Sequence, residues 1–196
     1  MKNNILSLLS KEEQKLLEVK TVDRGTYLFR EGELCSKISI VVSGGVKIAS
    51  MHYSGSEVIF NILESGEIFG NNLIFSDQPV YKGDVIAIKD STIVSISKEN
   101  LTNILQSNKE FLVAYLNIQS NFGKKLNSTI KMLSMSSAED RFMYYLHESK
   151  DEISYQSVTD LADILNIKRE TLSRLLTKLE KENVIKRSPH HISKVN

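Results

Sequence analysis

The residues best equipped for chemistry lie in the stretch 157–178, SVTDLADILNIKRETLSRLLTK. Leu172, Leu175, Leu176 and Leu179 recur at helical spacing. That spacing gathers Arg169, Glu170, Ser173, Arg174 and Lys178 on the opposite face. The chemistry this set offers is hydrogen-bond recognition. An arginine can donate two parallel bonds to guanine O6 and N7, a glutamate can accept from the cytosine amino group, and serine and threonine can bond bases or phosphates. Arg169 and Arg174 stand five residues apart, about a turn and a half of helix, so they reach different base pairs. The same pattern also suits an amphipathic helical hairpin with a solvated polar face, laced by pairs such as Glu170–Arg174.

No catalytic constellation competes with this cluster. The chain contains no G-x-x-x-x-G-K-[ST], no G-x-S-x-G and no metal-spaced His/Glu set. Cys35 is its only cysteine, so one chain makes no internal disulfide, four-cysteine zinc site or all-cysteine iron–sulfur cluster. It follows a glycine turn in EGELCSK, where a redox-sensitive thiol would need a neighbouring positive charge. His52 is a lone histidine in a loop-like stretch, poorly placed for haem, and His190-His191 are too isolated for a metal site. The expectation is a non-enzyme with no metal and no cofactor.

A face of this kind must be presented by two short helices. Ser157 with Asp160 starts the first, which carries Leu161, Ala162, Ile164 and Leu165. Asn166 stands where the chain must turn sharply, and asparagine tolerates the left-handed conformation. Small Ala162 suits the helix crossing. Together these describe a helix-turn-helix whose second helix enters the major groove and reads bases from its N-terminal half. Local charge agrees: from Lys168 onward eight Lys/Arg face three acids, although the whole chain carries only +1.

Upstream, residues 4–19 carry Ile5, Leu8, Leu9, Leu16 and Leu17 at helical spacing, and Ser10 with Glu13 form a capping box that starts a second short helix there. From about residue 20 to residue 97, runs rich in β-branched and aromatic residues alternate with glycine turns: TYLF, KISIVV, VKIAS, EVIFNIL, VIAI and TIVSIS. This texture predicts a small antiparallel barrel or sandwich. A helix at 98–107 and a long one at 109–133 follow. The apolar stripe of the long helix reads Phe111, Tyr115, Ile118, Phe122, Leu126, Ile130 and Leu133, approximating a heptad seam that a partner helix would cover. Ser134-Met135-Ser136-Ser137 interrupts the pattern, and Ser137 with Asp140 starts another helix. Hydrophobic residues at 41% and charged residues at 25% fit a soluble globular chain. MKNNILSLLSKEEQ lacks a signal-peptide core, and no stretch approaches about 20 apolar residues, so a cytoplasmic protein with no membrane partner is expected.

Arg169-Glu170-Thr171-Leu172-Ser173-Arg174 resembles the recognition helix of the cyclic-AMP receptor/FNR (CRP/FNR) family of bacterial transcription regulators, which carries an R-E-T-x-x-R or E-x-x-S-R core. Nearly the whole chain follows the family's order. KISIVVSGGVKI resembles its strand–glycine–strand signature and ESGEIFG its G-E-x-x-G segment, and ENVIKRSPHHISKVN occupies the place of the wing. The resemblance implies an α+β fold: an N-terminal cyclic-nucleotide-binding-like β-roll (jelly roll) at 1–108, a dimerisation helix and hinge at 109–136, and a C-terminal winged helix-turn-helix at 137–196. It implies a homodimer through 109–133 on palindromic double-stranded DNA, with half-sites related to TGTGA or TTGAT and RNA polymerase as a further partner. A signal at the roll or the long helix would act by shifting the hinge. By position, Arg169, Glu170 and Arg174 would meet base edges with Ser173 alongside. Thr171, Ser157 and Thr159 would meet phosphates, helped by the anion preference of helix N-termini. Two departures stand out: Asn166 replaces a turn glycine, and Lys168 replaces a small capping residue, weakening the cap while adding a phosphate-seeking charge.

The family's roll often senses a small molecule, here unidentified. This chain keeps Gly66-Glu67 but reads QPVYKGD at 78–84, where cyclic-AMP binders carry Arg-Ser. Lys82 supplies one charge without a bidentate clamp, and Asp84 repels phosphate, so a cyclic nucleotide is disfavoured. Gly66, Glu67, Tyr81 and Lys82 remain the candidate effector residues. The competing reading is a ligand-sensing or protein-interaction module that never touches DNA; salt-dependent duplex binding separates the two.

Overall fold

The computed structural model describes residues 5–51 and 57–195; His52 and Gly55 lie outside them. After a 3₁₀ turn at Ile5–Leu8, helix α1 (Lys11–Gln14) starts at the expected capping box. Glu13 N donates to the Ser10 hydroxyl at 3.2 Å and Ser10 N to the Glu13 carboxylate at 2.7 Å. The helical reading of Leu16 and Leu17 stops there, because the chain turns directly into a strand.

Eight strands follow: β1 (Glu18–Val22), β2 (Tyr27–Phe29), β3 (Lys37–Ser43), β4 (Gly45–Met51), β5 (Glu57–Glu64), β6 (Ile68–Phe69), β7 (Asp84–Ala87) and β8 (Ser91–Ser97). They form two antiparallel sheets, in the orders β1-β8-β3-β6 and β2-β7-β4-β5. Inward residues of both meet in one core, with Ile38, Val41 and Ile96 from the first sheet and Val46, Leu63 and Val85 from the second. β1 escaped the sequence pattern because EVKTV buries only Val22. Gly44 shows why a glycine is needed between β3 and β4: its φ is +87°, and a Cβ there would lie 2.7 Å from Ser91 Cα.

Helix α2 (Lys98–Ser107) is capped by Ser97. Asn108 ends it in an extended conformation and starts the next helix, its side-chain oxygen accepting from Phe111 N at 3.0 Å. Helix α3 (Lys109–Leu133) has the bounds its periodicity predicts. Its apolar faces divide differently from the expected stripe. Phe111 and Tyr115 are buried in the roll's own core and Ile118 packs against it. Leu116, Leu126, Ile130 and Leu133 are exposed. With the half-buried Leu112, Gln119 and Gly123 they follow alternating spacings of four and three, giving a seam at 112, 116, 119, 123, 126, 130 and 133 that is exposed at its four apolar positions from 116 on, while Gln119 is bonded to Asn71. The expected stripe is thus corrected in its first half. Packing against the roll claims 111, 115 and 118, while Phe122, Leu126, Ile130 and Leu133 of the expected stripe stay exposed and Leu116 joins them.

The chain forms two compact units, Met1–Ser120 and Asn121–Asn196, dividing inside α3. In the second, α4 (Ala138–Glu148) is capped by Ser137, whose hydroxyl accepts from Asp140 N at 2.9 Å. Strand β9 (Glu152–Ser154), helices α5 (Val158–Ile164) and α6 (Arg169–Lys181), and strands β10 (Ile185–Ser188) and β11 (His191–Lys194) complete it. The sheet order is β10-β11-β9. Phe142, Leu146, Leu161, Leu165, Leu172, Leu176 and Ile192 form its wholly buried centre, joined by Met132 from the end of α3. The fold is α+β, a two-sheet roll followed by a long helix and a winged helix-turn-helix.

Candidate nucleic-acid interface

The turn between α5 and α6 is built as the residue types demand. The Ser157 hydroxyl accepts from Asp160 N at 3.1 Å and starts α5. Asn166 takes φ +50°, and Ile167 N then donates back to the Ala162 carbonyl at 3.0 Å. Ala162 is buried, so the two helices meet over a side chain of one carbon. Lys168 is the N-cap of α6 and makes no side-chain cap bond. The first-turn amides of α6 are therefore left for water or an anion.

Leu172, Leu175, Leu176 and Leu179 are buried. Lys168, Arg169, Glu170, Thr171, Ser173 and Arg174 are all exposed. Arg169, Glu170 and Arg174 make no side-chain hydrogen bond or ion pair among the described residues. The Glu170–Arg174 pair that the alternative hairpin reading called for does not form, and the two groups are separate. Further along α6 the charges are engaged. Lys178 pairs with Glu139 at 2.8 Å, which raises the lysine's pKa. Glu180 accepts from Arg187 Nε at 2.8 Å, and this bond lowers the glutamate's pKa. The N-terminal half of α6 is thus free, and its C-terminal half is tied to α4 and β10. Ser157 is half-buried at its cap and Thr159 is exposed beside it, both at the N-terminal end of α5.

The wing is a β10–β11 hairpin closed by Pro189 and His190, the latter at φ +60°. The His190 ring lies 6.2 Å from Tyr155. His191 Nδ1 is 3.4 Å from the Ser154 hydroxyl on β9, a strand the sequence reading missed. Among the described residues no group of His, Cys, Asp and Glu could hold a metal. No described helix is long and apolar enough to cross a membrane.

One further side chain went unnoticed in the sequence. Arg141, on the first turn of α4, donates from Nε to the Met135 carbonyl at 2.9 Å and from Nη1 to the Asn166 carbonyl at 3.0 Å. The only hint in the sequence was an arginine just after a helix cap, which gives no indication of partners so distant in the chain.

The four candidate effector residues differ in their local surroundings. Gly66 makes the left-handed turn after β5 at φ +88°. Glu67 accepts from the Glu64 amide at 2.7 Å, within that same turn. Tyr81 points into the roll, buried, and stacks on Phe29 with centroids 4.4 Å apart. Lys82, the next residue, is exposed. Asp84 accepts from Glu31 N at 2.8 Å. The Cys35 thiol is buried and donates to the Lys37 carbonyl at 3.4 Å. Burial pushes its pKa up, the opposite of what a reactive thiolate needs.

A cyclic nucleotide-binding domain model matches residues 19–108, and a Crp-like helix-turn-helix domain model matches residues 140–195. The anaerobic regulatory protein of Bacillus subtilis is 25% identical over 193 residues, covering 91% of this chain and 81% of its own length. The cyclic AMP receptor protein of Thermus thermophilus is 25% identical over 173 residues, covering 85% and 78% respectively. Among solved structures, a mutant of CooA from Carboxydothermus hydrogenoformans aligns with a TM-score of 0.77 at 19% identity, over 100% of this chain and 93% of that one.

Proposed function

The chain belongs to the CRP/FNR family of DNA-binding transcription regulators, a non-enzymatic family, and on that premise we propose how it engages DNA. Two copies pair along the α3 seam and set their α6 helices into successive major grooves about 34 Å apart on a two-fold-symmetric site. Arg169, Glu170 and Arg174 read base edges, with Ser173 alongside. Lys168, Thr171, Ser157 and Thr159 hold phosphates at the N-terminal ends of α6 and α5.

The observation that carries this reading is the open half of α6. Three charged side chains with base-reading geometry stand exposed and unpartnered over a buried row of leucines. The seam supports the pairing. Leu116, Leu126, Ile130 and Leu133 are between 40% and 58% exposed, and an apolar heptad stripe in water is stabilised by a matching one. Gly123 presents no Cβ at the middle of the seam and has nothing within 4 Å of where one would be, which leaves room for a partner helix. A regulator of this kind works in the cytoplasm, where its DNA and RNA polymerase are.

Fluorescence anisotropy on a specific and a random duplex, over a salt series, tests the assignment. Lys168→Ala is expected to weaken both duplexes alike and reduce the salt slope by about one. Arg174→Ala is expected to weaken the specific duplex alone. Equal losses on the two duplexes for Arg174→Ala would remove it from base reading.

A further inference from the structure

Arg141 joins two segments that sequence separates by about thirty residues. Both lie just past helix C-termini. Met135 lies two residues beyond Leu133, the last residue of α3, and Asn166 follows Leu165, the C-cap of α5. Carbonyls at such ends have no partner within their own helix and carry partial negative charge. The guanidinium answers both at once: Nε bonds Met135 O at 2.9 Å and Nη1 bonds Asn166 O at 3.0 Å, with Leu165 O at 3.5 Å. All of these residues lie in the second compact unit.

We propose that Arg141 is the positioning residue that sets the recognition helix relative to the end of α3. This rests on the DNA-binding reading above. The Asn166 carbonyl is two residues from Lys168, the N-cap of α6, so the pin holds the root of the reading helix. The other end holds Met135, inside the serine-rich segment that leads out of α3. A planar fork with fixed donor directions ties two acceptors into one geometry; a lysine ammonium is a point charge that does not. The unit's fold does not depend on the pin. Phe142 and Leu146 hold α4 in the core, both wholly buried. Losing the guanidinium therefore leaves the exposed Asn166 carbonyl and the half-buried Met135 carbonyl to water and loosens an angle.

The consequence is specific to a dimer on DNA. Each α6 keeps its own base contacts, and the spacing between the two becomes less well defined. The test uses the full chain with palindromes whose half-site separation is changed by one base pair in either direction, a duplex with a single half-site, and thermal unfolding of each variant. The wild type is expected to prefer one spacing by about tenfold or more. Arg141→Ala is expected to bind the single half-site within about twofold of wild type while its spacing preference falls below about threefold, with Arg141→Lys in between. An unchanged spacing preference in Arg141→Ala overturns the proposal, as does an equal loss on half-site and palindrome, which marks a merely structural role. If Arg141→Ala fails to fold, Arg141→Lys decides: full spacing preference overturns the proposal and a flattened one supports it. A wild type that binds none of the duplexes overturns the DNA-binding reading itself, and this proposal with it.

Discussion

The roll and the winged unit treat their polar side chains in opposite ways. In the roll they are used on the spot. Ser39 and Ser95 bond each other at 2.8 Å inside the core, the Ser91 hydroxyl accepts from Gly45 N at 3.0 Å, and Glu67 and Asp84 accept from backbone amides. Its interior is filled by apolar and aromatic side chains, with Phe29 stacked on Tyr81 and edge-on to Phe69. In the winged unit the leucines of α6 stabilise the core while Arg169, Glu170 and Arg174 bond nothing in their own chain. A charge that stabilises nothing in its own fold is available to another molecule. The difference agrees with the proposed reading, in which recognition of DNA falls to α6 of the second unit.

Four variants break or sharpen this contrast. The largest effect belongs to the seam. Leu126→Lys with Ile130→Lys puts charge on two exposed seam positions without touching either core. Sedimentation should fall from twice 22.2 kDa to that single mass, and affinity for a palindrome should drop by about 10²–10⁴-fold as one binding event is uncoupled from the other. A dimer that persists would place the interface elsewhere. Next, Leu172→Ala opens a cavity at a wholly buried position and should cost about 2–5 kcal/mol. Calorimetry should show the winged unit's transition moving down while the roll's stays; if both move together, the two units unfold as one.

Smaller effects separate reading from holding. Arg174→Ala should remove about 1–3 kcal/mol of discrimination between the specific site and random duplex, measured as a ratio of dissociation constants. A ratio equal to that of wild type would show that this arginine does not read bases. Lys168→Ser supplies the missing N-cap and should stabilise the unit by about 1 kcal/mol while the salt dependence of binding falls by about one charge. Gain in melting temperature without loss of salt slope would mean that Lys168 faces away from phosphate.

What could be read from sequence follows the range of the interactions involved. Ser10–Glu13, Ser137–Asp140 and Ser157–Asp160 are bonds across three residues, and all three caps form as their types predict. Asn166 in the left-handed turn and the leucine row of α6 are equally local. The bounds of α3 were legible for the same reason. Its free face was not, because packing on the roll decides which of two adjacent apolar stripes is covered. β6 and β9, of two and three residues, are too short to show alternation. Tyr81 and Lys82 were chosen by their position in the family's pattern, which does not tell that Tyr81 is buried in the roll while Lys82 is exposed. Arg141 reaches carbonyls 6 and 25 residues away, and backbone acceptors leave no mark in a sequence.

The most direct test is selection of binding sites from random duplex DNA by the purified chain with no ligand added. A two-fold-symmetric site is predicted, its half-sites about one helical turn apart, with enrichment lost in Arg174→Ala and its symmetry lost when α3 carries the two lysines. Recovery of no enriched sequence would contradict the claim that the open half of α6 reads DNA.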